Sequence, residues 1–74
     1  MAKKNNQDRV FKRIEVVGMS PKSYEAAIES AVRRASETVH DLHWFEVKEM
    51  RGAIRNGKVA EYQVVVVLNF EVRG

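Results

Sequence analysis

The chain contains no cysteine. Disulfides, thiolate metal sites and a cysteine nucleophile are therefore excluded. No apolar run approaches the roughly 20 residues that a membrane-spanning helix needs. No signal-peptide core follows the basic start, so a cytoplasmic location is expected. There is no GxSxG elbow, no glycine-rich phosphate loop and no HExxH. With no acid, base or nucleophile singled out, the chain is not expected to be an enzyme. Internal repeats, low-complexity segments and linkers are missing too. Aromatics are few, at 8%, and there is a single tryptophan, Trp44.

What is present fits one small domain. Seventy-four residues with 45% hydrophobic and 31% charged composition are ordinary for a globular protein. A chain this short buries only a thin core, and small domains without staples often lean on oligomerisation. The net charge is +3, partly from Lys3 and Lys4 in a polar stretch, Met1 to Asp8, without hydrophobic periodicity. Residues 1–8 are expected to be a flexible, solvated tail and residues 9–74 the single domain. Two lysines make a weak footprint for nucleic acid.

Arg9 to Val17 is rich in β-branched residues. Val10, Ile14 and Val16 share one parity, as expected of a strand with one strongly apolar face, which Gly18 ends. Ser20-Pro21 reads as a helix start, with Ser20 as N-cap and Pro21 in the first turn. Tyr24, Ala27, Ile28, Ala31, Val32, Ala35 and Val39 then recur at intervals of three and four. This predicts an amphipathic helix ending near Val39 or His40. Its alanines let it lie close on a sheet, and Glu29–Arg33 and Arg33–Glu37 are expected ion pairs on its outer face. Strands follow from His43 to Arg55 and from Lys58 to Arg73. Between them Asn56-Gly57 marks a type I′ hairpin, because both residues tolerate positive φ. The order is β-α-β-β: an α+β domain with antiparallel strands and one helix across one face.

The hairpin is too long for its helix. Its strands extend roughly 43 and 50 Å at about 3.3 Å per residue. A helix of about 18 residues covers only about 27 Å. If alternation holds, the uncovered sheet face carries Trp44, Met50, Val65 and Val67. Long exposed apolar strands aggregate unless covered, and a closed homo-oligomer is the economical cover. The alternative is a sheet that curls strongly around its own helix. A tight turn also sets the register, placing Gln63 opposite Met50 and Trp44 opposite Asn69. Trp44 and Gln63 then lie about six residues apart along the strands, roughly 20 Å. A ligand touching both is expected to draw them from different subunits.

Chemistry is sparse elsewhere. His40 and His43 read as solvated loop histidines before a metal pair. Glu46 and Glu49, three apart, are expected on opposite strand faces and so make no acid/base pair. Lys48 with Glu49, and Lys12 with Glu15, are expected to be solvated or interface ion pairs. Trp44 is either packing for a core or interface, or a flat platform for a planar ring. A glutamine nearby would supply a donor and an acceptor at a ring edge, a pattern suited to isoalloxazine.

At Trp44-Phe45-Glu46-Val47-Lys48-Glu49-Met50-Arg51-Gly52, followed by Glu61-Tyr62-Gln63-Val64, the sequence resembles the dodecins, small flavin-binding proteins of bacteria and archaea. The likeness extends upstream through Phe11-Lys12-Arg13-Ile14-Glu15-Val16-Val17-Gly18, Ser20 and Glu25-Ala26-Ala27-Ile28, and covers about Val10 to Val72. It implies a three-stranded antiparallel sheet wrapped around one helix, assembled as a hollow homododecamer. It implies flavins paired at two-fold axes between symmetry-related tryptophans. Trp44 matches the stacking position and Gln63 the residue that hydrogen-bonds the pyrimidine edge. Arg51 matches an arginine near the ligand in the FMN-binding bacterial form, although simple alternation points it away from Trp44. Backbone atoms around Phe45, Glu46 and Val47 are implied to add contacts. The bacterial pattern implies FMN or FAD ahead of the riboflavin and lumichrome of the archaeal form, with coenzyme A a secondary ligand in some relatives. Met50 departs from the pattern where a β-branched residue is common.

The leading expectation is a flavin store with neither nucleic acid nor membrane as partner. A structural cage or coenzyme A carrier without a flavin role is one alternative. A single-strand nucleic-acid binder using the basic charge and sheet aromatics is another.

Overall fold

The computed structural model describes residues 7–73. Met1 to Asn6, most of the expected tail with Lys3 and Lys4, lie outside the described residues. Four elements follow in the anticipated order: β1 (Val10–Ser20), α1 (Tyr24–Ala35), β2 (Leu42–Arg55) and β3 (Lys58–Val72). The strands form one antiparallel sheet in the order β1-β3-β2. Asn56 (φ 55°) and Gly57 (φ 76°) both take the left-handed region, which makes the I′ turn between β2 and β3. Among the described residues no helix is long and apolar enough to cross a membrane.

The sheet and α1 share a small aliphatic core. Ala27, Ala31, Val64, Val66 and Leu68 are buried together, with Ile14, Val16, Ile28, Val32 and Leu42 packed around them. These are the positions of β1 and β3 that alternation assigns to the helix side. Tyr24 of α1 meets Tyr62 of β3 edge-on, ring centroids 4.9 Å apart.

The helix differs from its sequence expectation at both ends. Ser20 stays in β1, paired with Tyr62, and its hydroxyl accepts from the Lys22 N–H at 3.0 Å. Ser23 takes the cap instead: its backbone is extended and its hydroxyl accepts from the Ala26 N–H at 3.0 Å. Two hydroxyls competed for the start, and the strand partner of Ser20 decided between them. Gly18 therefore does not end β1; the strand runs two residues past it. At the other end α1 stops at Ala35, where the N–H groups of Thr38 and Val39 both return to the Ala35 carbonyl. Neither expected pair, Glu29–Arg33 or Arg33–Glu37, is among the ion pairs of the described residues; Arg34–Glu37 (3.7 Å) forms instead. At 12 residues, about 18 Å, α1 is shorter still relative to β3, whose 15 residues extend about 50 Å.

Three register shifts interrupt the β2–β3 ladder, at Leu42/Trp44, Val47/Glu49 and Ala53/Ile54. The last one slides the pairing by one residue, so Gln63 faces Arg51 rather than Met50. The shift at Lys48 slides it back, so Trp44 faces Asn69 as the turn alone predicts. Between the two, every β2 side chain changes face. Met50 moves to the helix side opposite Val64, leaving the outer face on which alternation placed it. Glu49 and Arg51 move onto the outer face with Trp44 and Glu46.

The chain remains long and thin, 65 × 20 × 14 Å, with a radius of gyration of 16.4 Å against about 11 Å for a compact chain of this length. Helix α1 lies over β1 and β3, and the helix side of β2 is left bare: Phe45, Val47 and Met50 are exposed, and Ile54 near the turn is 78% exposed. The outer face behaves differently from expectation. Val65 and Val67 are buried (7% and 5% exposed) because long charged side chains from the flanking strands close over them. Arg13 of β1 reaches Glu46 of β2 at 3.3 Å, and Lys48 reaches Glu15 at 2.6 Å. The aliphatic stems of such residues shield apolar surface while their charges stay in water. The pairs actually formed are thus across the sheet, not Lys48 with Glu49 or Lys12 with Glu15.

Candidate functional site

Trp44 lies on the outer face, near the end of the sheet away from the hairpin turn, and is 47% exposed. Its indole leans across β3 to the Phe11 ring of β1, centroids 4.9 Å apart at 59°. Phe11 is itself flanked by His43, edge-on at 5.1 Å, and by the Arg9 guanidinium at 5.3 Å. The indole Nε1 donates to Glu46 Oε2 at 3.3 Å. Glu46 Oε1 accepts from Arg13 Nη2 at 3.3 Å. Asn69 Nδ2, on the buried central strand, donates to Glu46 Oε2 at 3.3 Å and to the Trp44 carbonyl at 3.4 Å. An aromatic plane is thus held in place with a large part of its surface open.

Gln63 lies on the same face toward the hairpin turn. Its Oε1 accepts from Arg51 Nε at 3.0 Å, and its Nε2 donates to Glu61 Oε1 at 3.4 Å. Arg51 Nη1 donates to Glu49 Oε2 at 3.2 Å. The bulge at Lys48 brings Arg51 onto the face of Trp44, which corrects the expectation that the two point apart. It also corrects the separation of Glu46 from Glu49, which share that face. The structure does not bring Trp44 and Gln63 together. Gln63 is six residues from the Trp44 partner Asn69 along β3, about 20 Å. Phe45 and Val47 project to the opposite, helix side, so toward Trp44 they offer backbone only.

A knot of charges closes the Trp44 end of the sheet. Glu71 receives two hydrogen bonds from Arg9 (2.9 and 3.2 Å) and pairs with Arg73 (3.3 Å) and His43 (3.4 Å). Arg73 also reaches Asp41 at 3.2 Å. The Arg9 hydrogen bond, with the nearby cations, holds the Glu71 carboxyl below the usual glutamate range and raises the Arg9 guanidinium in turn. A carboxylate lowered in this way stabilises the fold fully above the ordinary range, about 4.3 for glutamate, and loses that contribution as pH falls through its lower folded value. Glu71→Gln should therefore lower the thermal midpoint by a constant amount from neutral pH down to that range. The gap to the wild-type chain should then close in more acid solution, where Glu71 is itself protonated. A gap that stays constant into strong acid would contradict this.

With the geometry in place, comparison with known proteins decides the family. The family model described as Dodecin matches residues 10–73, the whole span of the three strands and the helix. The dodecin of Thermus thermophilus is 48% identical over 64 residues, covering 86% of this chain and 93% of that protein. The chain belongs to the dodecin family. A protein named calcium dodecin from Mycobacterium tuberculosis is 33% identical over 64 residues, covering 86% of this chain and 90% of its own. Among solved structures, dodecin from Streptomyces coelicolor superposes with a TM-score of 0.88 at 40% identity, covering 93% of this chain and 99% of that one. Crossing β-α-β-β with a three-stranded antiparallel sheet over one helix is thus the dodecin fold. Sequence patterning does not single out three residues that surround Trp44: Phe11, Arg13 and Asn69. The signal for Asn69 was present, since the turn register sets it opposite Trp44. Phe11 and Arg13 needed the β1–β3 pairing, Phe11 with Glu71 and Arg13 with Asn69, which no local pattern reveals.

Proposed function

We propose that this dodecin is a non-catalytic flavin store and buffer that works as a hollow homododecamer and takes FMN, FAD or riboflavin. The observation that carries this is the placement of Trp44 and Gln63. Both lie on one sheet face, yet about 20 Å apart along the strands. One ligand can touch both only where two subunits meet. The bare apolar stripe of β2, Phe45, Val47, Met50 and Ile54, supports the same conclusion, because a face of that kind needs a partner.

The residues present fit the group. A half-exposed indole, braced by Phe11 and Glu46, suits stacking with a flat ring. Gln63 keeps one amide hydrogen and one oxygen lone pair beyond its bonds to Glu61 and Arg51, enough for a donor–acceptor ring edge. Arg51 adds a fixed cation beside that edge. A bound flavin would supply redox and light-absorbing chemistry; the protein's part is to restrain it. Trp44 would cover the reactive face of such a ring against substrates, and its indole stacked there would quench the ring's emission. Calcium, which appears in the name of the Mycobacterium relative, has no matching cluster: among the described residues no group of three His, Cys, Asp or Glu is placed to hold a metal ion. A cage or coenzyme A carrier is the second reading, favoured by the apolar stripe alone, since that stripe demands assembly whatever the ligand.

Mass in solution together with an FMN titration tests the reading. The expected result is a particle of about 100 kDa, twelve copies of an 8.5 kDa chain, that quenches flavin emission on binding. A monomer, or a particle that leaves FMN emission unchanged at saturating protein, would rule the reading out.

A further inference from the structure

The carboxylate of Glu46 joins all three strands at one point. It receives the indole N–H of Trp44 from β2, a guanidinium N–H of Arg13 from β1 and the amide N–H of Asn69 from β3, each at 3.3 Å. Asn69 is 1% exposed and also donates to the Trp44 carbonyl at 3.4 Å. The same buried amide therefore holds the backbone that carries the indole and the carboxylate that receives its N–H.

We propose that Glu46 is a positioning residue for the Trp44 platform, setting the plane of the indole before any planar ligand arrives. The proposal rests on the reading of Trp44 as a stacking surface. A half-exposed tryptophan on a strand has several rotamers open to it, and its outer torsion is broad and roughly two-fold. Phe11 braces the ring by contact, but an apolar contact does not distinguish the ring from its flipped form. The N–H does: a flip carries Nε1 to the other edge and takes the indole donor away from Glu46 Oε2. The carboxylate is a directional partner only because it cannot turn away. Arg13 holds Oε1 and Asn69 holds Oε2. Arg13 also balances the charge of Glu46, so no uncompensated anion sits beside the indole. A side chain ordered in advance no longer has to be ordered on binding, and one rotamer-rich side chain is worth about three- to ten-fold in affinity.

Trp44 is the single tryptophan of the chain, so its emission reports this site alone. The test compares wild type with Glu46→Ala, Glu46→Gln and Arg13→Ala in two measurements: decay of tryptophan emission anisotropy without flavin, and titration with FMN. In Glu46→Ala the fast local depolarisation of the indole should grow, and FMN affinity should fall about three- to ten-fold. Glu46→Gln keeps an acceptor oxygen and should restore most of both. Arg13 is an exposed residue whose loss leaves the core intact, and Arg13→Ala should loosen the indole by an intermediate amount. An indole as rigid in Glu46→Ala as in wild type overturns the proposal. So does Glu46→Gln behaving like Glu46→Ala in the anisotropy decay. If wild type binds no FMN, the flavin reading fails, and the anisotropy of the flavin-free protein still decides the role of Glu46.

Discussion

Replacing Trp44 with alanine should abolish tight flavin binding while leaving the particle assembled. Stacking a planar ring on an aromatic side chain is worth about 1–3 kcal/mol by alanine substitution. With about 1.4 kcal/mol per tenfold, one lost stacking face weakens binding on the order of 10- to 100-fold. In a sandwich between two subunits both platforms disappear together, and the losses compound. Quenching should vanish as well, because the stacked indole is gone. The fold should tolerate the change. Trp44 is outside the core cluster and half its surface is open. Its removal uncovers Phe11 and Asn69 but opens no cavity beneath α1. Flavin fluorescence titration, with particle mass as the control, gives the outcome. Wild-type affinity in Trp44→Ala would end the stacking reading. Loss of assembly with no change in flavin binding would make Trp44 an interface residue instead.

Gly18→Ala should be the most damaging single methyl addition to the fold. A Cβ built on Gly18 would lie 2.1 Å from the Ala27 carbonyl oxygen, 2.9 Å from its carbon and 3.1 Å from the Ala31 Cβ. The clash is with helix backbone, so no rotamer change relieves it. Either α1 lifts from the sheet or β1 bends away. Both open the contact between Ala27, which is fully buried, and Val64 and Val66. Overpacking a core typically costs about 1–3 kcal/mol, and a backbone clash belongs at the upper end. Domains of this size lose about 4–8 °C in melting temperature per kcal/mol. A fall of on the order of 10–20 °C is expected, measured by circular dichroism. Gly57 supplies the contrast. Nothing lies within 4 Å of its built Cβ, so alanine there meets only the left-handed backbone, at about 1 kcal/mol. A Gly18→Ala chain that melts with wild type, or above Gly57→Ala, would show that the helix does not need to sit this close.

Gly18 also shows how one residue reads differently in sequence and in space. As a sequence feature it looks like the end of a strand. In the fold it is a gap through which a helix carbonyl approaches, and the strand continues beyond it. Ser20 is similar: a sound N-cap by its chemistry, but held in the sheet by Tyr62, so Ser23 takes the cap. Local propensity offers a choice of starts, and tertiary pairing selects one. The Asn56-Gly57 turn had no rival, because few other dipeptides accept two positive φ angles without strain, and it was legible outright.

The Trp44–Gln63 face was legible only in part. The turn register put Trp44 opposite Asn69 and about 20 Å from Gln63, and both hold. It did so because two shifts, at Ala53/Ile54 and at Lys48, cancel along the ladder. Between those shifts strict alternation misassigned Glu49, Met50 and Arg51 to their faces. A bulge is one extra residue in one strand, chosen by how a long hairpin must bend over its neighbours, and it leaves no periodic trace.

By itself, then, the order of residues determined the β-α-β-β plan, the hairpin, the family, and the need of so long a hairpin for neighbours. These follow from local periodicity, turn chemistry and strand length, which are properties of the chain alone. Only the tertiary structure decided which side chains share a face with Trp44. It placed Arg51 with Gln63, closed charged pairs over Val65 and Val67, and gathered Arg13 and Asn69 around Glu46. Those groupings depend on three strands lying side by side in one register, a relation between segments that none of them encodes separately.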